Sequence, residues 1–137
     1  MPAMANITVK KNDGTTDIVY DAISGSGGDS SPAVWRQDTG AVAGLPVGLR
    51  PVFVLQTKWN GPKTARQVIF KITRPYATQD STTTLYSSKD STVFSGTMTV
   101  PQGIPSSEIN EAVAQAFNLV AASLTKSAAQ AGYAPRG

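Results

Sequence analysis

Between Asp38 and Asp80 the chain has no acidic residue, while Arg50, Lys58, Lys63, Arg66, Lys71 and Arg74 supply six of its twelve cations. Six cations and no acid give a local charge of +6, with Phe53, Trp59 and Phe70 interleaved. That is the footprint expected for a polyanion, in which cations neutralise phosphates and flat or apolar side chains meet bases. The bland reading of the same residues is chance clustering on a basic protein. Other chemistry is narrowed by absence. There is no histidine, so the commonest proton-transfer group near neutral pH and the commonest metal ligand are both missing. There is no cysteine either, hence no thiolate nucleophile and no disulfide. Asp13, Asp17, Asp21, Asp29, Asp38, Asp80, Asp90, Glu108 and Glu111 fall in turns, on a hairpin or at a helix start. Two of them could meet as a glycosidase-like dyad, but solvated surface carboxylates are the simpler reading. The segment Ser24 to Ser31, Ser-Gly-Ser-Gly-Gly-Asp-Ser-Ser, looks like a phosphate-cradling loop. It lacks the Walker lysine and the GxGxxG spacing, so it reads as a connector. No catalytic activity, cofactor or metal is expected.

The elements that must position these cations fit one domain over residues 1–137. Hydrophobic residues make up 40% of the chain and charged residues 15%, with a net charge of +3. Charge this low, below the quarter usual in globular domains, suits a protein that buries much of its surface against copies of itself. The N-terminus, Met1-Pro2-Ala3-Met4-Ala5-Asn6, has no apolar h-region. The longest aliphatic or aromatic run is Val52-Phe53-Val54-Leu55. Neither export by an ordinary signal peptide nor a membrane span is expected. Met4 leaves a second candidate for the natural start.

Two short alternating segments, Asn6 to Lys10 and Asp17 to Ile23, flank Asn12-Asp13-Gly14 and predict an opening hairpin. Ala33 to Gln37 reads as a strand, followed by a Gly- and Pro-containing loop from Thr39 to Gly48. Leu49 to Asn60 and Thr64 to Pro75 read as two long strands joined at Gly61-Pro62-Lys63. Residues 76–91 read as a long polar loop with a short strand near Thr84-Leu85-Tyr86, and Thr92 to Val100 as the last strand, ended by Pro101. From Ser107 the period changes. Ile109, Ala112, Val113, Ala116, Phe117, Val120, Leu124 and Ala128 recur every three or four residues, the mark of an amphipathic helix. Ser106 or Ser107 is the expected cap, Glu108 and Glu111 complement the positive end of the dipole, and Gly132 is the expected stop. The order is an α+β arrangement. One Ala-rich helical region covers only part of such a sheet and leaves strand edges open, a problem that a second copy would solve.

In length, order and spacing these elements resemble the coat proteins of single-stranded RNA bacteriophages, the levivirus-like group. The resemblance is carried by the hairpin around Asn12-Asp13-Gly14, the Ala33-Val34-Trp35 strand, the pair Val52 to Lys58 and Arg66 to Pro75, the segment Thr97-Met98-Thr99-Val100-Pro101 and the terminal helix. It covers nearly the whole chain, and no single motif is diagnostic. It implies an N-terminal β-hairpin, a five-stranded antiparallel sheet and a C-terminal helical region, in an intertwined dimer. Dimers would build an icosahedral shell of T=3 type around a single-stranded RNA genome. The place of the protein would be the virion, assembled in the bacterial host cytoplasm, with no membrane partner. Residues 76–91 would be the loop that adjusts between quasi-equivalent positions. A second role, repressing translation through an RNA hairpin, is part of the same implication.

Alternation indicates which side chains would meet that RNA. Val68, Phe70 and Ile72 point one way, and Gln67, Ile69, Lys71 and Thr73 the other. In the preceding strand Phe53 and Leu55 read as core, leaving Val52, Val54, Gln56 and Lys58 on the opposite face. In the last strand Phe94, Met98 and Val100 read as core, leaving Val93, Ser95, Thr97 and Thr99. Gln56, Lys58, Lys71, Thr73, Ser95 and Thr97 therefore form a polar surface whose positions match the family's RNA-contacting face. Lys58 and Lys71 would contact phosphates, and the neutral residues sugars or bases. A register slip of one residue at the Gly61-Pro62 turn would exchange Phe53, Leu55, Thr57 and Trp59 with Gln56 and Lys58. Two departures stand out. Val93 occupies the place of a base-stacking aromatic, and loop-linking cysteines are absent. Competing classes are a non-assembling single-stranded nucleic-acid-binding β-domain, which solution size would distinguish, a pilus or tail subunit, and a small histidine-free hydrolase.

Overall fold

A computed structural model of the protein describes residues 2–137, with Ala41 described by its backbone alone. The chain divides into two compact units, one ending at Thr99 and the other running Val100–Gly137. The first holds all but the last two residues of a sheet of six strands, β1 (Ile7–Lys10), β2 (Asp17–Ser24), β3 (Ala33–Arg36), β4 (Val52–Trp59), β5 (Ala65–Gln79) and β6 (Tyr86–Pro101), adjacent in chain order. The pairings from β1 to β5 are antiparallel. The expected α+β fold of N-terminal hairpin, antiparallel sheet and C-terminal helical region is the one found, and the hairpin supplies the first two of the six strands.

Turn chemistry sets the β1–β2 pairing. The Asp13 carboxylate accepts the backbone N–H groups of Thr15 and Thr16, each at 2.9 Å, and the Thr16 hydroxyl at 2.6 Å. Gly14 takes the left-handed conformation that the turn requires, with φ 75°. These donors hold the Asp13 carboxyl down at about 2. Pairing then runs from Lys10 opposite Asp17 to Ile7 opposite Tyr20.

At the β4–β5 turn, Asn60 Oδ1 accepts the N–H groups of Thr64 and Ala65, while Lys63 adopts φ 58°. The long strand expected from Leu49 begins instead at Val52. Val47–Leu49 is a 3-10 turn, and the Arg50 guanidinium bonds the carbonyls of Leu45 and Ala43, each at 3.0 Å. Residues so tied are drawn out of the ladder.

The reading of residues 76–91 as a loop is corrected. β5 continues to Gln79 and β6 begins at Tyr86, leaving a tip at 80–85. Asp80 organises that tip by accepting the N–H groups of Thr82 and Thr83. The segment looked like loop because β6 is exposed from Tyr86 to Ser95. A strand without a buried face shows no hydrophobic alternation.

One face of the sheet is aromatic. Trp35 stacks on Phe53 with centroids 5.2 Å apart, and its indole N–H donates to the Ala5 carbonyl at 2.7 Å. Phe70 stacks on Phe94 at 5.6 Å. Gly96 is flush with the Phe70 ring, since a Cβ there would meet its Cζ at 2.9 Å. Yet among the described residues only Ala33, Trp35 and Ala65 are buried hydrophobics, and no large side chain is fully buried.

The second unit holds two helices, α1 (Ser106–Val120) and α2 (Ser123–Ala131), where one helical region is expected. Ala122 is extended, with ψ 149°, and breaks the run. No Gly or Pro marks that point, and the apolar stripe continues from Val120 to Leu124 across it. The expected serine cap is also corrected: Pro105 is the N-cap residue, and no side chain caps the helix. Gly132 does stop α2, in the left-handed conformation with φ 81° and its N–H on the Ala128 carbonyl. Ile109, Val113, Ala116 and Ala128 are half-buried, whereas Phe117 is 45% exposed and Leu124 65%.

Candidate nucleic-acid interface

Directly opposed residues of an antiparallel pair project from the same face. In the β4–β5 ladder Lys58 opposes Gln67, Gln56 opposes Ile69, Val54 opposes Lys71 and Val52 opposes Thr73. Gln56, Lys58, Lys71 and Thr73 therefore share one face. Phe53 opposes Ile72 and Leu55 opposes Phe70, which puts the aromatic set on the other. The slipped register is not the one adopted. Because Asn60 captures Thr64 and Ala65, the turn closes with Trp59 opposite Arg66.

On β6, Phe94 and Gly96 contact the Phe70 ring and so lie on the aromatic face. Alternation places Ser95 and Thr97 on the opposite face, with Lys71 and Thr73. Ser95, Thr97 and Lys71 are exposed, and Gln56, Lys58 and Thr73 half-buried. All six expected residues thus stand on one face of three neighbouring strands. Val34 and Val54 stand together in its middle.

The basic run is less free than its sequence suggests. Arg66 forms a two-point pair with Asp29, with Nη1 to Oδ2 at 3.0 Å and Nη2 to Oδ1 at 2.6 Å, and its guanidinium lies 4.9 Å from the Trp59 ring centre. Arg50 pairs with Asp38 at 2.9 Å, and Arg36 reaches the same carboxylate at 2.6 Å. Hydrogen bonding from Arg66 lowers the Asp29 pKa, and hydrogen bonding from Arg36 foremost lowers that of Asp38. Two of the six cations are therefore neutralised by acids from outside the run. Sequence distance hid both pairings.

Lys58 and Lys71 make no ion pair among the described residues. Arg74 lies beside Tyr20, on the margin of an open depression of about 660 Å³ whose rim also carries Lys10, Lys11, Asp13 and Asp17. Burial raises the Tyr20 pKa, and the Arg74 charge opposes that shift. Acids and bases are mixed on that rim, so its field is weaker than that of the lysine face.

The Gly- and Ser-rich connector is closed on itself. The Gly27 N–H donates to the Ser31 hydroxyl, the Gly28 N–H to the Ser26 hydroxyl, the Ser31 N–H to the Gly28 carbonyl and the Ser30 N–H to Thr57. Those four donors are already satisfied and do not converge on a phosphate.

The chain is similar to that in the virus-like particle of Beihai levi-like virus 21, with a TM-score of 0.80 at 15% identity, over 99% of this chain and 100% of that one. It is similar to the chain in the virus-like particle of bacteriophage NT-214, with a TM-score of 0.79 at 17% identity, over 98% and 100%. The capsid protein of bacteriophage GA gives 0.70 at 14% identity, over 95% of each chain. No protein-family model and no curated protein sequence matches the chain. At such identities the likeness is one of fold, and that fold is shared from end to end.

Proposed function

We propose that this chain, which has the fold of levi-like phage coat proteins, is itself a capsid protein: a single coat-protein domain that dimerises, assembles into an icosahedral shell and packages single-stranded RNA. The observation that carries the proposal is the reciprocal coverage at a TM-score of 0.80, with 99% of this chain and all of the virus-like-particle chain. A shared piece would leave room for another use of the sheet. A shared whole leaves little.

Physical features support the same reading. The free edge of β6 offers unpaired backbone groups along a long strand. Phe117, Leu119, Val120 and Leu124 are exposed in the single chain, an apolar surface that a second copy would cover. Lys58 and Lys71 on the lysine face make no ion pair among the described residues, and no acid lies on β4 or β5. The site of action that follows is the virion, with assembly in the cytoplasm of a bacterial host. Repression through one particular RNA hairpin lacks comparable support, since the lysine face has no aromatic to hold an extruded base.

The test is expression of the protein alone in bacteria, followed by sedimentation and electron microscopy. Closed particles of uniform size, dissociating to dimers and containing nuclease-protected RNA, are expected. A stable monomer that binds nucleic acid without assembling would favour the alternative of a single-stranded nucleic-acid-binding β-domain.

A further inference from the structure

We propose that the aromatic face of the sheet carries a binding site, anchored by Arg74, for a free single-chain amphiphile with an anionic head, of which a medium-chain carboxylate is the simplest. The site lies on the face opposite the lysines and does not depend on RNA.

Two open depressions meet at Arg74. One, of about 660 Å³, runs from the hairpin to Gln37 and Thr39. Its neighbour, of about 390 Å³, is bounded by Leu45, Leu49, Pro51 and Tyr76, and Val42 and Arg74 line both. Each volume falls in the range of about 300–1,000 Å³ usual for small-molecule sites. Arg74 follows Phe70 and Ile72 along β5 at period two, so it projects from the aromatic face.

The first depression supplies unused hydrogen-bonding groups. Gln37 is only 6% exposed and lines it. Its backbone N–H donates to the Pro51 carbonyl at 3.0 Å, but its side-chain amide makes no hydrogen bond among the described residues. The capacity of that amide is left to solvent or to a ligand. Both acids on the rim are engaged: Asp17 with Lys10 at 2.6 Å, and Asp13 with the three donors of its turn. Arg74 itself makes no ion pair among the described residues. A guanidinium fork and an amide donor on one depression suit a carboxylate.

The second depression supplies an apolar wall that is already formed. Val42, Leu45 and Leu49 are half-buried there, and Arg74 is the one charged residue among the described residues that line it. The loop is held by Arg50, whose guanidinium bonds the carbonyls of Leu45 and Ala43 at 3.0 Å and Asp38 at 2.9 Å. A ligand therefore need not order it on binding. A cation without an acid, set where a polar depression meets an apolar one, matches a negative head joined to an apolar tail.

The experiment is equilibrium dialysis of the recombinant protein, in the assembly state it adopts, against radiolabelled octanoate below its micellar concentration. Saturable binding at about millimolar concentration is expected for a ligand of this size. Each methylene removed should weaken it about twofold, less than the roughly fourfold of a fully enclosed chain because the wall is open. Acetate and octanol, each lacking one half of the ligand, should bind at least about tenfold more weakly, and Arg74→Gln should weaken octanoate by about the same factor, the size of a lost charge-assisted hydrogen bond. Gln37→Leu should weaken octanoate severalfold without lowering the melting temperature, a split that a purely structural glutamine would not give. Octanol or acetate binding as tightly as octanoate overturns the proposal, as does normal binding by Arg74→Gln. A lowered melting temperature with unchanged octanoate binding in Gln37→Leu does the same. Flotation with phosphatidylglycerol vesicles that is lost in Arg74→Gln but kept in Lys58→Ala/Lys71→Ala would put a bilayer surface on this face and overturn the free amphiphile. Absence of saturable binding overturns it too, and if Arg74→Gln then also fails to form particles, the occupant is a second copy of the chain.

Discussion

Arg66 and Asp29, 37 residues apart in sequence, meet through two hydrogen bonds of 3.0 and 2.6 Å, and the Arg66 guanidinium also lies over Trp59. The pair ties the Gly- and Ser-rich connector to the end of the β4–β5 ladder. The paired carboxyl has a pKa below its ordinary value of 3.8, through hydrogen bonding to Arg66 foremost. A depressed folded-state pKa means that the pair stabilises the native form above about 3.8 and loses that effect as pH falls through the lower folded value. Asp29→Asn should leave the fold intact at neutral pH and raise the rate of proteolytic cleavage within residues 25–31 severalfold. Limited proteolysis of the variant beside the parent checks this. Equal cleavage at neutral pH would show that Ser30, bonded to Thr57, holds the connector by itself.

Asp13 should titrate near 2, because its carboxylate accepts three hydrogen bonds within the hairpin turn. Between 3.8 and about 2 the folded state then holds fewer protons than the unfolded one, so stability falls with falling pH across that window. Thr16→Val deletes the hydroxyl donor and should move the carboxyl midpoint upward. NMR titration of the Asp13 side-chain carbon measures the midpoint directly. An unchanged value in the variant would mean that the backbone N–H groups alone set it.

Gly96→Ala should destabilise the sheet, because its Cβ would sit 2.9 Å from Phe70 Cζ, beneath a ring already stacked on Phe94. Forcing extra volume into a packed contact typically costs about 1–3 kcal/mol. Denaturant titration should show a lower midpoint at unchanged slope. The double variant Gly96→Ala/Phe70→Leu should recover part of the loss, since a smaller side chain makes room. Additive losses would place the strain elsewhere.

These contacts also show what the sequence made legible. Asn12-Asp13-Gly14 announced the hairpin, and alternation in β4 and β5 separated Gln56 and Lys58 from Phe53 and Leu55, because turn chemistry and period-two patterning are local. The Arg66 and Arg50 pairings were invisible, since their acids lie outside the basic run and only the folded sheet brings them together. The Tyr86–Ser95 part of β6 was hidden by exposure, which removes the pattern that betrays a strand. The break at Ala122 was hidden for the opposite reason: the stripe from Val120 to Leu124 keeps helical spacing where the backbone does not.

Phe117 supplies a test of assembly. In the single chain its side chain is 45% exposed and that of Val120 47%. If a second copy covers them, Phe117→Ala removes a buried aromatic from the assembled state, at a typical cost of about 3–5 kcal/mol. The expected result is insoluble protein or dimers that fail to form particles. Particles of normal size and unchanged melting temperature would show that the apolar stripe is not an assembly contact.

Lys58 and Lys71 supply the test of the proposed RNA face, because both project from it without an ion pair among the described residues. Phosphate neutralisation releases condensed counterions, so affinity should fall linearly with salt on logarithmic axes. Each lost phosphate contact makes that slope shallower by about 0.7 to 1. Replacing both lysines with Ala, in protein that still folds, should therefore reduce the slope by roughly 1.4 to 2 and weaken binding most at low salt. Lys63→Ala is the internal control, since Lys63 sits in the β4–β5 turn and not on a strand face. A smaller effect from Lys63→Ala than from either strand lysine would locate the polyanion on the sheet. An equal effect from all three would mean that the net charge of the protein, and not the arrangement of this face, draws the RNA.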